Sequence, residues 1–251
     1  MGTGVELING WILPVLAGPV VGSFLGVLIR RLPAGRDVVV TRSACEVCGH
    51  GLTPSELVPI LSFLRQRGRC AACAARIDPA HLWIELAALA VPIIAACAVP
   101  GGPFLWLSCV LGWWLLALAW IDAVSFRLPD VLTLPIILAG LAEAGWFEPA
   151  SVIDRAVGAT VGFGALWLIG FVYRRIRHRE GLGLGDAKLL AAGGAWGGIS
   201  LLPFTMFVAP ALALLYAGIL WLRGIPVTAT TKLPFGPFLA GAIWMAWILQ
   251  P

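Results

Sequence analysis

Charged residues are scarce in this sequence. Asp, Glu, Lys and Arg make up 12% of its 251 residues, whereas 60% of the residues are hydrophobic. Because soluble globular domains carry roughly 25% charged residues, this composition excludes an ordinary soluble domain. The segments of alternating polarity that build an outer-membrane barrel are also missing. What remains is a series of long apolar runs, which predicts an all-α, polytopic helical membrane protein.

Signals for other destinations and chemistries are missing too. The first residues include no positively charged stretch, and no small-residue cleavage site follows the first apolar run, so we expect no removed signal peptide. The three histidines, His50, His81 and His178, stand alone in the sequence, and we assign them no chemistry. The net charge is small, at +4, and we expect no nucleic-acid partner.

Eight apolar runs are predicted to span the membrane, and the first is close to the roughly 20 residues that a span needs. The first carries Gly18, Gly22 and Gly26 at a spacing of four, which favours close packing against a neighbouring helix. Two cysteines within the runs, Cys97 and Cys109, are expected to be buried. The break between the sixth and seventh runs has the weakest signal. The predicted spans lie at about residues 9–29, 81–99, 104–121, 131–146, 153–173, 186–199, 201–222 and 234–249.

One sizeable polar loop, residues 30–80, separates the first span (1–29) from the remaining membrane region (81–251). Lys and Arg concentrate in the cytoplasmic loops of membrane proteins. If this loop is cytoplasmic and the spans alternate, sixteen of the seventeen basic residues fall on the cytoplasmic side and Arg155 alone lies outside. This agreement supports eight spans and an external N-terminus. The arginines of the loop are Arg30, Arg31, Arg36, Arg42, Arg65, Arg67, Arg69 and Arg76.

Two aspartates stand out because ionisable groups at or inside a membrane boundary are costly and commonly functional. Asp186 follows glycines at positions 181, 183 and 185, which let an extended backbone approach closely, and Asp122 ends the third predicted span. The predicted topology places both at the cytoplasmic border. Two adjacent carboxyl groups share one proton, so that one activates water as a base while the other polarises a carbonyl. The pair therefore indicates an aspartyl hydrolase.

Each acidic residue also has a structural interpretation. Asp186 is suited to cap the start of a helix at the interface, and Asp122 to end one. Asp130 follows a proline and precedes an apolar run, which predicts a helix cap. Glu85 lies inside the second span and either pairs two helices or borders the site. Glu143 is near the outer end of its span, and we expect it to extend to the interface.

The other four cysteines form two Cys-x-x-Cys pairs in the polar loop, Cys45 with Cys48 and Cys70 with Cys73. Four thiolates at this spacing are typical of a tetrahedral, structural zinc site, which leaves no open position for catalysis. Two redox pairs or four unbound thiols are the alternative, although a cytoplasmic loop disfavours disulfides. The loop therefore predicts a small zinc-binding domain.

Further segments accompany the two aspartates and the cysteine pairs in a fixed order. They are Gly22-Ser-Phe-Leu25, Arg31-Leu-Pro33, Pro59-Ile-Leu-Ser62, Arg67-Gly-Arg-Cys70, Leu128-Pro-Asp-Val-Leu-Thr-Leu-Pro135, Gly183-Leu-Gly-Asp-Ala-Lys-Leu189 and Pro234-Phe-Gly-Pro-Phe-Leu239. In these segments the chain resembles the bacterial type IV prepilin peptidases, also called leader peptidases of type II secretion. These are aspartyl proteases of the Gly-x-Gly-Asp class, and the resemblance covers nearly the whole chain.

The resemblance implies an inner-membrane endopeptidase that removes a short basic leader from type IV prepilins or type II secretion pseudopilins on the cytoplasmic side. Asp122 and Asp186 would be its catalytic pair, and residues 81–251 its peptidase core. Many members also methylate the new N-terminus with S-adenosylmethionine, an activity tied to the first cytoplasmic loop. Here Gly26 stands in place of the usual Asn and Glu46 in place of the usual Pro. Both departures put methyl transfer in doubt more than cleavage.

Two alternatives compete with the peptidase. Asp122 and Asp186 would serve as a proton or cation relay in a membrane transporter, although a zinc loop has no evident use there and the sequence has no two similar halves. The second alternative is a methyltransferase without peptidase activity, in which the two aspartates are structural. For a peptidase, we expect membrane lipid as a further partner. The leader is basic and so is the cytoplasmic face of the protein, so we expect the positive charge of the leader to interact with anionic lipid head groups.

Overall fold

The computed structural model of the protein describes residues 3–37, 43–179, 181–228 and 231–250, with side chains from residue 10 onward. Arg42, one of the loop arginines, lies outside the described residues. Within these ranges the chain is all-helical, as predicted, and its extended structure is limited to two isolated β-bridges in the polar loop.

Nine α-helices and one short 3-10 helix occur in the described ranges. They are α1 (Thr3–Arg31), α2 (Leu61–Arg65), α3 (Ala80–Ala98), α4 (Pro103–Ser125), α5 (Asp130–Phe147), the 3-10 helix (Pro149–Ser151), α6 (Val152–Arg177), α7 (Leu184–Gly197), α8 (Leu201–Leu222) and α9 (Gly236–Ile248).

Every predicted span coincides with a helix, and six helices among the described residues are long and apolar enough to cross a membrane. These are α1, α3, α4, α5, α6 and α8. The other two, α7 and α9, have 14 and 13 residues. At 1.5 Å per residue they are about 20 Å long, less than the roughly 30 Å hydrocarbon thickness of a bilayer. The protein is thus an integral membrane protein with six candidate spans in the described residues, together with the short apolar helix α9 and the short, largely buried helix α7.

The chain divides into two compact units, an N-terminal unit (Met1–Ala117) and a C-terminal unit (Leu118–Pro251). In the N-terminal unit α1 packs on α3 through part of its glycine stripe. A Cβ atom at Gly18 or Gly22 would lie 2.7–2.9 Å from atoms of the α3 backbone, closer than packed atoms approach. At Gly26 a Cβ would instead meet the ring of His81, at 3.3 Å from Nδ1. The backbones of α1 and α3 therefore require glycine at the first two positions, whereas Gly26 faces a side chain.

A proline inside α3 creates a second contact in this unit. Pro92 has no N–H, so the carbonyl of Ala88 lacks its normal partner one turn later in the helix. The indole Nε1 of Trp113, on α4, donates to that carbonyl oxygen at 2.8 Å. Because an unsatisfied carbonyl is costly where water is absent, the proline and the tryptophan together fix α4 against α3.

The two cysteines of the apolar spans have different environments. Cys109 is fully buried, as predicted, but Cys97 is exposed on α3, so its predicted burial was wrong. Only 33% of the α3 span is buried inside the protein. Most of its apolar side chains therefore face outward, which is the side of a spanning helix that lipid covers.

Helix α7 forms the core of the C-terminal unit, and nearly all of its side chains are buried. It crosses α6 at Gly158 and Gly194, where a Cβ on Gly194 would overlap the Gly158 carbonyl group. On the α5 side, Gly140 leaves room for the ring of Trp196, whose Nε1 donates to the Ile136 carbonyl oxygen at 2.8 Å. Small residues thus let a short central helix approach two long neighbours closely.

The predicted break between the sixth and seventh apolar runs is confirmed. Helix α7 ends at Gly197, and Gly198 has a φ of +72°, a conformation that favours glycine. The Asp154 carboxylate, from α6, accepts the N–H of Ile199 at 3.3 Å. The glycine and this hydrogen bond end one helix and direct the chain into α8.

Arg155, the one basic residue expected outside, is buried in the C-terminal unit. Its guanidinium donates to Glu143 Oε2 at 2.8 Å, to Glu148 Oε2 at 3.3 Å and to the Trp196 carbonyl oxygen, and it lies over the ring of Trp247. Glu143 is paired with this arginine and only 8% of its side chain is exposed, while its extension to the membrane interface stays a prediction. The arginine and the glutamate therefore neutralise each other's charge between the packed helices.

Candidate functional site

The structure brings the two aspartates together in the C-terminal unit. Asp122 lies in the last turn of α4, and Asp186 is the third residue of α7. Their residues are 7% and 9% exposed, and the two carboxyl groups lie within electrostatic range of each other. Two acidic groups 64 positions apart in sequence thus share one buried environment at the ends of two helices.

Each carboxyl group accepts a backbone N–H. Asp122 Oδ2 accepts the N–H of Gly236 at 2.8 Å, and Asp186 Oδ2 accepts the N–H of Gly183 at 3.3 Å. Gly183 occupies the N-cap position of α7, so Asp186 is not the cap residue itself but bonds back to it from the first turn. Asp186 therefore stabilises the start of α7, in addition to any role in chemistry.

Two of the three glycines before Asp186 lie where a side chain would collide with a neighbouring residue. A Cβ at Gly185 would lie 2.8 Å from the Cβ of Leu128, and one at Gly181 would lie 2.5 Å from the ring of Tyr173. At Gly183 the nearest atom would be 3.5 Å away. Gly185 thus lets the first turn of α7 lie directly on the segment that joins α4 to α5, which contributes to the approach of Asp186 to Asp122.

An ion pair joins α7 to α5. Lys188 Nζ, two residues after Asp186, lies 2.5 Å from Asp130 Oδ1 at the start of α5. The predicted cap role of Asp130 was wrong, because Pro129 occupies the N-cap position of α5 and Asp130 is the first residue of the helix. With 58% of the Asp130 side chain exposed, this ion pair contributes little to stability.

Glu85 has a pairing role in the N-terminal unit. Its Oε2 atom accepts the N–H of Ile60 at 2.7 Å, and it also forms a hydrogen bond with Ser23. Ile60 has a φ of +61°, which is rare for a β-branched residue. The carboxylate therefore holds an unusual loop conformation against α1 and α3, and Glu85 is a helix–loop linker.

The four loop cysteines converge on one point. All four Sγ atoms lie within 4.8 Å of one another. The separations Cys45–Cys73 and Cys48–Cys70 are 3.9 and 4.0 Å. Four sulfurs around a metal at about 2.3 Å would be about 3.8 Å apart at the edges of a regular tetrahedron. The donor set and its spacing therefore fit a metal ion.

Local hydrogen bonds favour the thiolate form of Cys45. The backbone N–H groups of Cys48 and Val47 lower the pKa of Cys45 to about 6. The thiolate is the form that binds metal. Beside this pair, Arg30 contacts Glu46 at 2.9 Å and Asp78 at 2.5 Å, which connects the first cysteine pair to the end of α1.

The two aspartates and the four cysteines that the sequence singled out lie in two clusters, and the structure adds Gly236 as a neighbour of Asp122 that the sequence did not indicate. Gly236 belongs to the Pro234-Phe-Gly-Pro segment, which matched the family pattern without an assigned role. A glycine between an aromatic residue and a proline, just before an apolar helix, was the available signal. The contact between Gly236 and Asp122 depends on how α9 packs in the fold, which the sequence pattern does not specify.

Comparisons with known proteins agree with this architecture. Residues 16–99 match the family model described as the bacterial peptidase A24 N-terminal domain, and residues 109–218 match the type IV leader peptidase family. The second match includes both aspartates and ends before Gly236. No solved structure matches the chain significantly.

Curated relatives are similar over most of their length. The "prepilin leader peptidase/N-methyltransferase" of Pseudomonas aeruginosa is 34% identical, over 92% of this chain and 88% of the relative. Proteins with the same name from Dichelobacter nodosus and Aeromonas hydrophila are also 34% identical, over 91% and 96% of this chain and 87% and 93% of the relatives. None of these comparisons supports a transporter. The chain belongs to the type IV leader peptidase family.

Proposed function

We propose that this protein is a membrane aspartyl endopeptidase that removes the short basic leader from type IV prepilins or type II secretion pseudopilins. The observation that carries the proposal is the buried pair of Asp122 and Asp186 within the region matched by the leader peptidase model. The distribution of Lys and Arg supports a cytoplasmic position for this pair. The bacterial inner membrane is the location that such a substrate requires.

In the proposed reaction the two carboxyl groups hold one proton between them. The ionised carboxylate removes a proton from a water molecule, which attacks the scissile carbonyl carbon, while the protonated carboxyl group donates a hydrogen bond to the carbonyl oxygen. The carboxyl group that took the proton from water then gives this proton to the leaving amine as the C–N bond breaks, so that the pair again holds one proton. Burial favours this chemistry, because two adjacent like charges in a dry site cannot both persist.

Replacing Asp122 or Asp186 by Asn is expected to lower prepilin cleavage at least about 1000-fold, because an amide keeps the size of the side chain but cannot exchange the proton. The measurement is cleavage of a synthetic prepilin by purified protein in detergent. Glu148→Gln is the matched control, since Glu148 is exposed and lies among the Arg155 contacts. Near-normal cleavage by either Asn variant would rule out the catalytic pair.

We also propose zinc as the metal of the cysteine cluster, in a structural role. Four thiolates suit tetrahedral Zn²⁺ and leave no coordination position for water. When bound, the ion would join two segments of the loop. One segment contains Cys45 and Cys48, and the other contains Cys70 and Cys73. The carboxyl pair belongs to other segments, so the metal is assigned no step in peptide cleavage.

Purified protein should therefore contain about one zinc per chain, and Cys70→Ser should release it while leaving part of the cleavage activity. Elemental analysis of protein prepared without chelator provides the measurement. Cys97→Ser is the control, because that thiol lies on α3 outside the cluster. Zinc-free wild-type protein, or a Cys70→Ser variant that keeps its zinc, would refute the assignment.

For the second activity in the relatives' name, methyl transfer from S-adenosylmethionine, we propose that this chain is weak or inactive. Its Gly26 offers no side-chain amide, and the adjacent space is taken by the ring of His81. An asparagine has two donors and two acceptor positions, whereas a glycine has only its backbone groups. We assign no residues of this chain to hold the methyl donor.

Gly26→Asn is expected to gain methyl transfer without unfolding the protein, because a side chain here displaces a ring edge and not the α3 backbone. Mass spectrometry of pilin processed in the presence of S-adenosylmethionine measures the product. Gly26→Ala is the control, since it adds the Cβ atom but no amide. A fully methylated product from the wild-type protein would show that the amide is dispensable.

Anionic membrane lipid is the partner we propose for the leader's positive charge. The loops on the proposed cytoplasmic face are themselves basic, so attraction to the protein is a poor basis for binding. Each basic residue near an anionic surface gains about 1 kcal/mol. Cleavage in liposomes should slow when anionic lipid is replaced by neutral lipid at constant protein content. Equal rates in the two membranes would exclude lipid from substrate capture.

A further inference from the structure

We propose that Gly236, the first residue of α9, is a positioning residue for the Asp122 carboxyl group. The inference rests on the proposed function, since it concerns how one of the two proposed catalytic groups is held. Gly236 lies outside the region matched by the leader peptidase model. Two independent features of the residue, its N–H and its missing side chain, point to this role.

The start of α9 leaves one backbone N–H for an external partner. Pro237, the second residue of the helix, has no N–H, and the N–H groups of Phe238 and Leu239 both donate to the Phe235 carbonyl oxygen at 3.1 Å. The N–H of Gly236 donates to Asp122 Oδ2 at 2.8 Å instead. Helix starts normally leave several free N–H groups. Here the sequence reduces them to a single donor aimed at the carboxyl group.

The missing side chain makes this contact possible. A Cβ atom on Gly236 would lie 2.7 Å from Asp122 Oδ2 and 2.8 Å from both Cβ and Cγ of Asp122. These are the atoms of a buried side chain with little freedom to move aside. Any residue other than glycine would therefore displace the carboxyl group that the N–H now holds.

Helix α9 also contacts the helix that carries Asp186. Ile243 of α9 fills the space beside Gly193 of α7, and the rings of Trp196 and Trp247 meet edge to face with centroids 5.4 Å apart. The helix that orients Asp122 is thus itself packed on α7. Through Gly236, α9 sets the position of one carboxyl group relative to the other.

The hydrogen bond also distinguishes the two oxygens of Asp122. Oδ2 accepts the Gly236 N–H at the positive end of the α9 dipole, which favours this oxygen as the unprotonated one. Oδ1 is then the atom left to exchange a proton with water or with Asp186. The bond therefore fixes both the direction of the carboxyl group and the oxygen that takes part in proton transfer.

The test compares Gly236→Ala with Gly241→Ala in the same helix. A Cβ at Gly241 would meet no atom within 4 Å, and alanine favours a helix over glycine at both positions. We expect Gly236→Ala to lower kcat for prepilin cleavage about 100-fold, the effect of an ångström-scale misplacement of a catalytic group. KM should change less than about threefold, because the leader contacts are retained. Gly241→Ala should cleave like the wild type.

A second measurement needs no activity. Gly236→Ala should lower the unfolding temperature in detergent, and this loss should largely disappear in an Asp122→Ala background, where the carboxyl group is absent and the new methyl group has room. Failure of the wild type to cleave prepilin would overturn the proposed function but leave this thermal cycle as a test of the contact. Equal losses in both backgrounds, or wild-type kcat in Gly236→Ala, would overturn the positioning role.

Discussion

Two carboxyl groups buried in an apolar helical protein are the constraint on which the C-terminal unit depends. Removing a charged carboxylate from water costs several kcal/mol unless hydrogen bonds replace the lost solvation. Here each of Asp122 and Asp186 has a backbone N–H from a helix start as its partner. Both donors belong to glycine residues, but only Gly236 is required to be one: its Cβ atom would lie 2.7 Å from Asp122 Oδ2, whereas at Gly183 the Cβ atom would lie 3.5 Å from Asp186 Oδ2. The two shortest helices in the membrane region, α7 and α9, supply these starts.

The sequence predicted the helices well because apolar runs alone locate them. It predicted the observed length of 14 residues for α7 but placed this helix about two residues too late. It made α9 longer than its observed 13 residues, because the run containing α9 begins with the Pro234-Phe-Gly-Pro segment. Convergence of Asp122 with Asp186 was predictable from depth, since residues at one membrane border share a level. The Gly236 contact was not, because no pattern along the chain specifies which helix start packs against which carboxyl group.

Arg155 shows why a count of basic residues on each side of the membrane does not predict the environment of each one. The rule that places Lys and Arg in the cytoplasm describes exposed loops, and Arg155 is not exposed. It is held by Glu143, Glu148 and the carbonyl group of Trp196. A buried and paired guanidinium does not report on which side of the membrane a loop lies, so Arg155 gives no argument against the proposed orientation. Sequence alone could not pair Arg155 with Glu143, since they belong to different helices.

The departures from the family pattern at Gly26 and Glu46 have different consequences. Glu46 lies between the first two cysteines and forms an ion pair with Arg30, which also contacts Asp78. The side chain of Glu46 is 79% exposed, so this ion pair contributes little to stability, but the cysteine geometry beside it still fits a metal. At Gly26 the neighbouring His81 ring occupies the adjacent space and supplies no equivalent of two amide donors and two acceptor positions. The metal loop is therefore expected to tolerate its substitution, whereas any function that depended on the amide at position 26 is lost with the side chain.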